Sequence, residues 1–169
     1  MKEKRHEGHE REMPHAHIYH TILPITFFLI WILDANFFRI TIFLNYFVPF
    51  LIRLMIWILI LVIAITFILL SHRALFKSHQ PAKSLISEGI LRYVRNPMYL
   101  GILLIYVAFI FLSISLISIV FFILVFFVYN RMVNFEEKIL EDLFGNQWFE
   151  YKKKVPKWFP NPFKMIRNQ

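Results

Sequence analysis

No cysteine occurs among the 169 residues. That excludes a disulfide framework, a thiolate zinc site and a cysteine nucleophile, and it leaves the redox compartment unreadable. Four glycines are too few for a glycine-rich phosphate fold or a collagen-like chain. No repeat is visible at a period of 20–50 residues. Charge is sparse at 18% and unbalanced, with 19 Lys+Arg against 11 Asp+Glu for a net charge of +8. Apolar residues fill the remainder: 58% of the chain is hydrophobic, 20 residues are Phe, and mean hydropathy is +0.56. A water-soluble chain of this length cannot bury so much apolar surface. In such a chain, excess positive charge points to a membrane surface and away from nucleic acid.

Crossing a bilayer core takes roughly 20 apolar residues as a helix. One run extends from Ile18 to Leu33 and stops at Asp34; a second extends from Pro49 to Leu70 with Arg53 near its start. The stretch between Arg95 and Arg131 holds 35 uncharged residues, which as one straight helix would reach about 52 Å. Two helices joined by a tight turn fit better, and Ser113, Ser115 and Ser118 mark the bend. The reading is an all-α integral membrane fold with four transmembrane helices near 18–34, 48–71, 97–112 and 115–132. The last two form a helical hairpin, and a C-terminal amphipathic helix follows. Residues 18–169 make one domain behind a tail of residues 1–17.

Charge placement gives the orientation. Residues 72–97 carry Arg73, Lys77, Lys83, Arg92 and Arg95 against Glu88, residues 130–169 carry eight Lys/Arg, and residues 35–48 carry only Arg39. By the positive-inside rule both basic segments, and with them both termini, are cytoplasmic. The tail mixes four basic and four acidic residues with His6, His9, His15 and His17. It reads as a solvated, disordered segment, too acidic and His-rich for a signal-peptide start. No metal site is expected, because the histidines have no carboxylate-rich partners at ligand spacing.

Polar information concentrates in 80–101 and 130–160. A short turn makes its two helices antiparallel neighbours, so Asn96–Gly101 and Arg131–Glu137 are expected side by side. Asn96-Pro97 reads as an N-cap with proline at the first helical position, and Arg95 as an interfacial anchor. Alternatively, that helix start receives an anionic group. Tyr99 sits at headgroup level, and Gly101 admits another helix or a ligand. Glu136 and Glu137 point to different faces, so at most one of them need face the bundle. Arg131 is placed to pair with Glu136 or with an anionic ligand. Residues 136–154 read as an amphipathic surface helix with the stripe Ile139, Leu140, Leu143, Phe144 and Trp148, interrupted by Gly145. Lys152-Lys153-Lys154, Trp158 and Phe159 read as lipid anchors.

Leu85-Ile86, Gly89, Tyr93 and Arg95-Asn96-Pro97-Met98-Tyr99-Leu100-Gly101 are followed, beyond the hairpin, by Glu136-Glu137, Phe144-Gly145, Tyr151 and Val155-Pro156. This ordered set resembles the isoprenylcysteine carboxyl methyltransferase family, whose wider relatives include membrane phospholipid methyltransferases. The resemblance spans about residues 80–160. It implies an integral-membrane transferase that uses S-adenosylmethionine, leaves S-adenosylhomocysteine, and holds the cofactor at the cytosolic helix ends. Carried over residue by residue, Lys83, Ser84, Leu85 and Ile86 flank the adenine. Asn96, Pro97, Met98 and Tyr99, with Gly101, surround the amino-acid end, and Glu136 binds a polar group of the cofactor. Leu91 falls at another cofactor position, where the family often has Tyr. Asn96 stands where the family motif has His. Met132 stands where the family has an acceptor-binding Arg, with Arg131 one residue earlier.

The implied reaction is methyl transfer to a lipophilic acceptor, an isoprenylcysteine-type carboxylate by resemblance. A carboxylate needs no general base; an amine would need one, for which Glu136 or Glu137 is available. Arg131 and Glu137 are the catalytic candidates. A non-catalytic membrane scaffold or partner subunit that retains the fold is the alternative. The sequence leaves the oligomeric state open.

Overall fold

The computed structural model describes residue 13, residues 16–77 and residues 85–159. Lys83 and Ser84, like His6, His9 and His15, lie outside them. The described residues are helical, without strands. Helix α1 (Ala16–Ile32) runs into a π-helical turn, Leu33–Phe38, and a 3-10 turn, Phe43–Tyr46, precedes α2 (Phe50–Lys77). A second 3-10 turn, Gly89–Arg92, leads to α3 (Pro97–Ser113), α4 (Leu116–Phe144) and α5 (Asn146–Lys154).

Three helical stretches are long and apolar enough to cross a membrane: Ala16–Phe38, Phe50–Leu75 and Leu116–Phe144. Helix α3 has 17 residues, about 25 Å, short of a ~30 Å hydrocarbon core; the sequence counts it as a fourth span. Large apolar side chains such as Leu51, Met55, Leu59 and Val62 on α2 are exposed, as expected of a surface covered by lipid.

Helices α3 and α4 break at Ile114, which has φ 45° and ψ 45°. Ser115 then caps α4, its Oγ accepting from the Ser118 backbone N–H at 3.2 Å. The serines end one helix and start the next because their hydroxyls compete for backbone groups. A buried polar cluster ties this turn to the loops. The Asp34 carboxylate accepts from Ser115 Oγ (2.6 Å), Thr41 Oγ1 (2.5 Å) and the Thr41 N–H (3.1 Å). Arg53 Nη1 donates to the Leu112 carbonyl at 2.7 Å. Trp31 Nε1 donates to the Phe109 carbonyl and to Ser113 Oγ, both at 2.9 Å. The Leu112 carbonyl, one of the last four of α3 and without an intrahelical partner, is thereby satisfied.

Two contacts set helix spacing. Gly101 on α3 lies so close to α2 that an added Cβ would sit 2.8 Å from the Ala64 carbonyl oxygen and 2.6 Å from Ile68 Cγ1. Elsewhere Phe27, Tyr106, Tyr129 and Met132 form a buried core between α1, α3 and α4, with the Phe27 and Tyr106 rings edge to face at 4.7 Å.

The expected surface helix over 136–154 takes a different form. Helix α4 continues without interruption to Phe144, and Gly145 (φ 50°, ψ −120°) breaks the chain before α5. That backbone conformation suits glycine almost exclusively. The charges from Arg131 onward mark a change of surroundings, not an end of helix.

Candidate functional site

The far ends of α3 and α4 meet. Asn96, just ahead of α3, donates from Nδ2 to Glu137 Oε1 on α4 at 2.8 Å. Arg95 Nε lies 3.2 Å from the same oxygen, and Arg95 Nη2 lies 3.4 Å from Oε2. Both charged side chains are 8% exposed. A buried pair of this kind needs further hydrogen bonds to offset its desolvation. Arg95 Nη1 supplies one to the Lys152 carbonyl at 3.2 Å, and its guanidinium lies 5.9 Å from the centre of the Trp148 ring.

Arg95 is therefore not the interfacial anchor expected from sequence, and Asn96 does not cap α3 with its side chain. Instead, Asn96 Nδ2 also reaches the Lys157 carbonyl at 3.4 Å. The Arg95 N–H donates to the Pro156 carbonyl at 3.0 Å. The chain after α5 thus straps the segment before α3. Burial lowers the Lys157 ammonium below its ordinary range, against an opposing pull from Glu137; its Nζ donates to Asn130 and Asn134 at 2.6 and 2.7 Å.

Beside this lock is a cavity of about 220 Å³. Asn96, Pro97, Met98 and Tyr99 line it from the start of α3, and Leu85, Ile86, Leu91 and Arg95 from the segment before it. Glu136, Leu140 and Phe144 line it from α4, Ser71 and Leu75 from α2, and Trp148 and Tyr151 from α5. The Tyr99 hydroxyl donates to Glu136 Oε1, so that carboxyl is engaged as an acceptor inside the lining. Glu136 and Glu137 both meet the α3 side, one in the cavity and one in the lock beside it. A helix places neighbouring residues about 100° apart, so two structures converging on α4 from different directions engage both.

The remaining sequence candidates fall elsewhere. Gly101 faces α2 and is outside the lining. Arg131 is exposed on α4 and outside the lining, while its neighbour Met132 is fully buried in the core. Glu137 holds Arg95 and Asn96 rather than facing the cavity.

Trp148, Tyr151 and His20 also adjoin the site, although the sequence places Trp148 only in a lipid-facing stripe and Tyr151 only in the family motif. Trp148 is 2% exposed and packs with Leu85, Leu140 and Phe144, so Leu140, Phe144 and Trp148 of the expected lipid-facing stripe close the cavity, while Leu143 of the same stripe stays exposed. The Trp148 indole Nε1 is buried without an acceptor among the described residues, a situation that costs about 1–3 kcal/mol. Tyr151 donates to the Leu91 carbonyl at 2.6 Å, and burial pushes its phenol above the ordinary tyrosine range. His20 of α1 stacks on Tyr99 with ring centres 5.8 Å apart and tilts against Tyr129 at 5.5 Å. Among the described residues no group of His, Asp and Glu is arranged to hold a metal ion.

No curated protein matches the chain. The phospholipid methyltransferase family model matches residues 50–147, more than half of the chain and the stretch from α2 to the second residue of α5. Within it lie the Arg95–Glu137 lock and both principal walls of the cavity, and on that match the chain belongs to the phospholipid methyltransferase family.

Proposed function

We propose that the protein is an integral-membrane S-adenosylmethionine-dependent methyltransferase that methylates a lipophilic acceptor at the cytoplasmic face. One observation carries this reading: the cavity is bipolar. Glu136, Leu140 and Phe144 line it along a single face of α4, about 12 Å from first to last at 1.5 Å per residue. At the Glu136 end Tyr99 donates to the carboxyl, with Asn96 also in the lining; at the Phe144 end Leu85, Leu140, Phe144 and Trp148 pack as an apolar cluster, with the Arg95 guanidinium over the Trp148 ring. Asn96 spends its amide N–H groups on Glu137 and Lys157, which leaves its carbonyl oxygen as the polar atom it can offer a ligand. A carboxylate and a carbonyl suit an ammonium group, and the apolar end suits a flat base.

The cofactor supplies an already activated sulfonium methyl group. What remains for the protein is to position both partners and exclude water. Glu136, Tyr99 and Asn96 hold the amino-acid end, the α5 wall covers the base, and the Arg95–Glu137 pair fixes the two walls. In this arrangement α3 and α4 act as a hairpin, the last two of four spans, with their open ends and the basic segments on the cytoplasmic side.

The resemblance favours an isoprenylcysteine-type carboxylate as acceptor. A phospholipid amine is the second reading, and one observation favours it. The guanidinium in the lining, Arg95, is already engaged by Glu137, and Arg131 is exposed outside it, whereas Glu136 is a lining carboxylate able to take a proton from an amine. Radiolabelled methyl transfer to fractionated host lipids, followed by identification of the labelled species, separates the two. A base-labile methyl ester supports the carboxylate, and an N-methylated headgroup supports the amine. No transfer to any fraction, with a partner protein co-purifying, supports the scaffold alternative instead.

A further inference from the structure

The α5 wall has a feature that space filling does not explain. Phenylalanine at position 148 would also present an apolar ring to Leu85, Leu140 and Phe144. The chain instead buries an indole there, 2% exposed, whose N–H meets no acceptor among the described residues. Its ring is otherwise engaged: the Arg95 guanidinium lies 5.9 Å from its centre, and the Tyr151 ring centre is 5.5 Å away. The donor edge is what the fold leaves unused, in a residue that lines the cavity.

We propose that Trp148 is a cofactor-recognition residue whose indole N–H donates to a ring nitrogen of the adenine. This rests on the methyltransferase reading above and assigns it one further residue. The chemistry fits. Adenine has apolar faces for the Leu85, Leu140 and Phe144 side chains, and its ring nitrogens carry acceptor lone pairs in the ring plane. Trp148 lies one residue beyond the family-matched segment, which ends at 147.

The test is calorimetric titration of S-adenosylhomocysteine, and of its 1-deaza, 3-deaza and 7-deaza adenine analogues, into the purified full-length protein and the Trp148→Phe variant. The expected loss for Trp148→Phe is about 5- to 10-fold in affinity, the weight of one hydrogen bond. One deaza analogue should bind the wild type weaker by the same factor and show no further loss in the variant, as a coupled pair requires. A penalty that persists across all three deaza analogues makes Trp148 a space-filling residue and overturns the assignment. Equal affinity of wild type and variant for S-adenosylhomocysteine also overturns it while leaving the methyltransferase reading intact; absence of wild-type binding overturns both. If Trp148→Phe does not fold, the benzothiophene isostere of tryptophan, with sulfur in place of N–H, gives the same comparison at nearly unchanged shape.

Discussion

Asn96 and Glu137 stand 41 residues apart in the chain, and their side chains meet at 2.8 Å. Together with Arg95 they fasten the start of α3 to the C-terminal half of α4, beside the cavity that Glu136 lines. A single turn of α4 thus holds the wall and faces the site with adjacent carboxylates.

Removing one partner of the lock should destabilise the fold. Glu137→Gln leaves the Arg95 guanidinium buried without its counter-charge, an effect of about 3–5 kcal/mol for such pairs. Thermal unfolding in detergent should show a large drop, with a smaller drop when Arg95 and Glu137 are both replaced by leucine. Unchanged unfolding of Glu137→Gln would show that the pair contributes little.

Gly101→Ala should loosen the α2–α3 contact. The added methyl would meet the Ala64 carbonyl oxygen at 2.8 Å as well as Ile68 Cγ1 at 2.6 Å, an overpacking effect of about 1–3 kcal/mol. Adding Ile68→Ala relieves only the side-chain clash, so the double variant should remain less stable than Ile68→Ala alone. Full additivity with no loss from Gly101→Ala would show that the helices separate freely.

These two sites mark what sequence could and could not show. Leu85, Ile86, Leu91, Asn96, Pro97, Met98, Tyr99 and Glu136 all line the cavity, and all were named from an ordered motif on two distant segments. Helix starts at 48, 97 and 115 follow from the hydrophobic runs, the Asn96-Pro97 pair and the serine bend, and the helices begin at Phe50, Pro97 and Leu116. Arg95 and Trp148 were misread for one reason: an arginine or tryptophan beside a membrane has the same local pattern whether it faces lipid headgroups or a docked helix. Only the packing of α5 on residues 85–96 separates the two. His20 was invisible because its site is shared with helices about 80 and 110 residues further on.

The α5 wall should be sensitive to alkali through Tyr151. Burial raises the folded-state pKa of its phenol above the ordinary value near 10. The stabilisation from the neutral hydroxyl, donated to the Leu91 carbonyl, is therefore fully present below pH about 10. It is lost as pH rises through the folded value. Tyr151→Phe should cost about 1 kcal/mol near neutrality and flatten the alkaline limb of the stability profile relative to wild type. Parallel wild-type and variant profiles above pH 10 would contradict this.

The polar cluster at the other end of α3 should affect stability without affecting the cavity that Glu136 lines. Asp34→Ala strands donors from Thr41 and Ser115, with an expected cost of about 1–3 kcal/mol for each donor left unsatisfied. S-adenosylhomocysteine affinity of the protein that remains folded should stay within about twofold of wild type. A tenfold loss would mean that the two ends of the molecule are coupled.

The claim beneath all of this is that two distant segments build one pocket for the cofactor, with Glu136 at its polar end. Equilibrium binding of S-adenosylhomocysteine to purified wild type and Glu136→Ala, at matched melting temperature, tests it most directly. Saturable wild-type binding, weakened at least about tenfold by the substitution as expected for loss of a charge-assisted contact, is the predicted result. Wild-type binding no better than that of an unrelated helical membrane protein, or equal affinity in the variant, would contradict it.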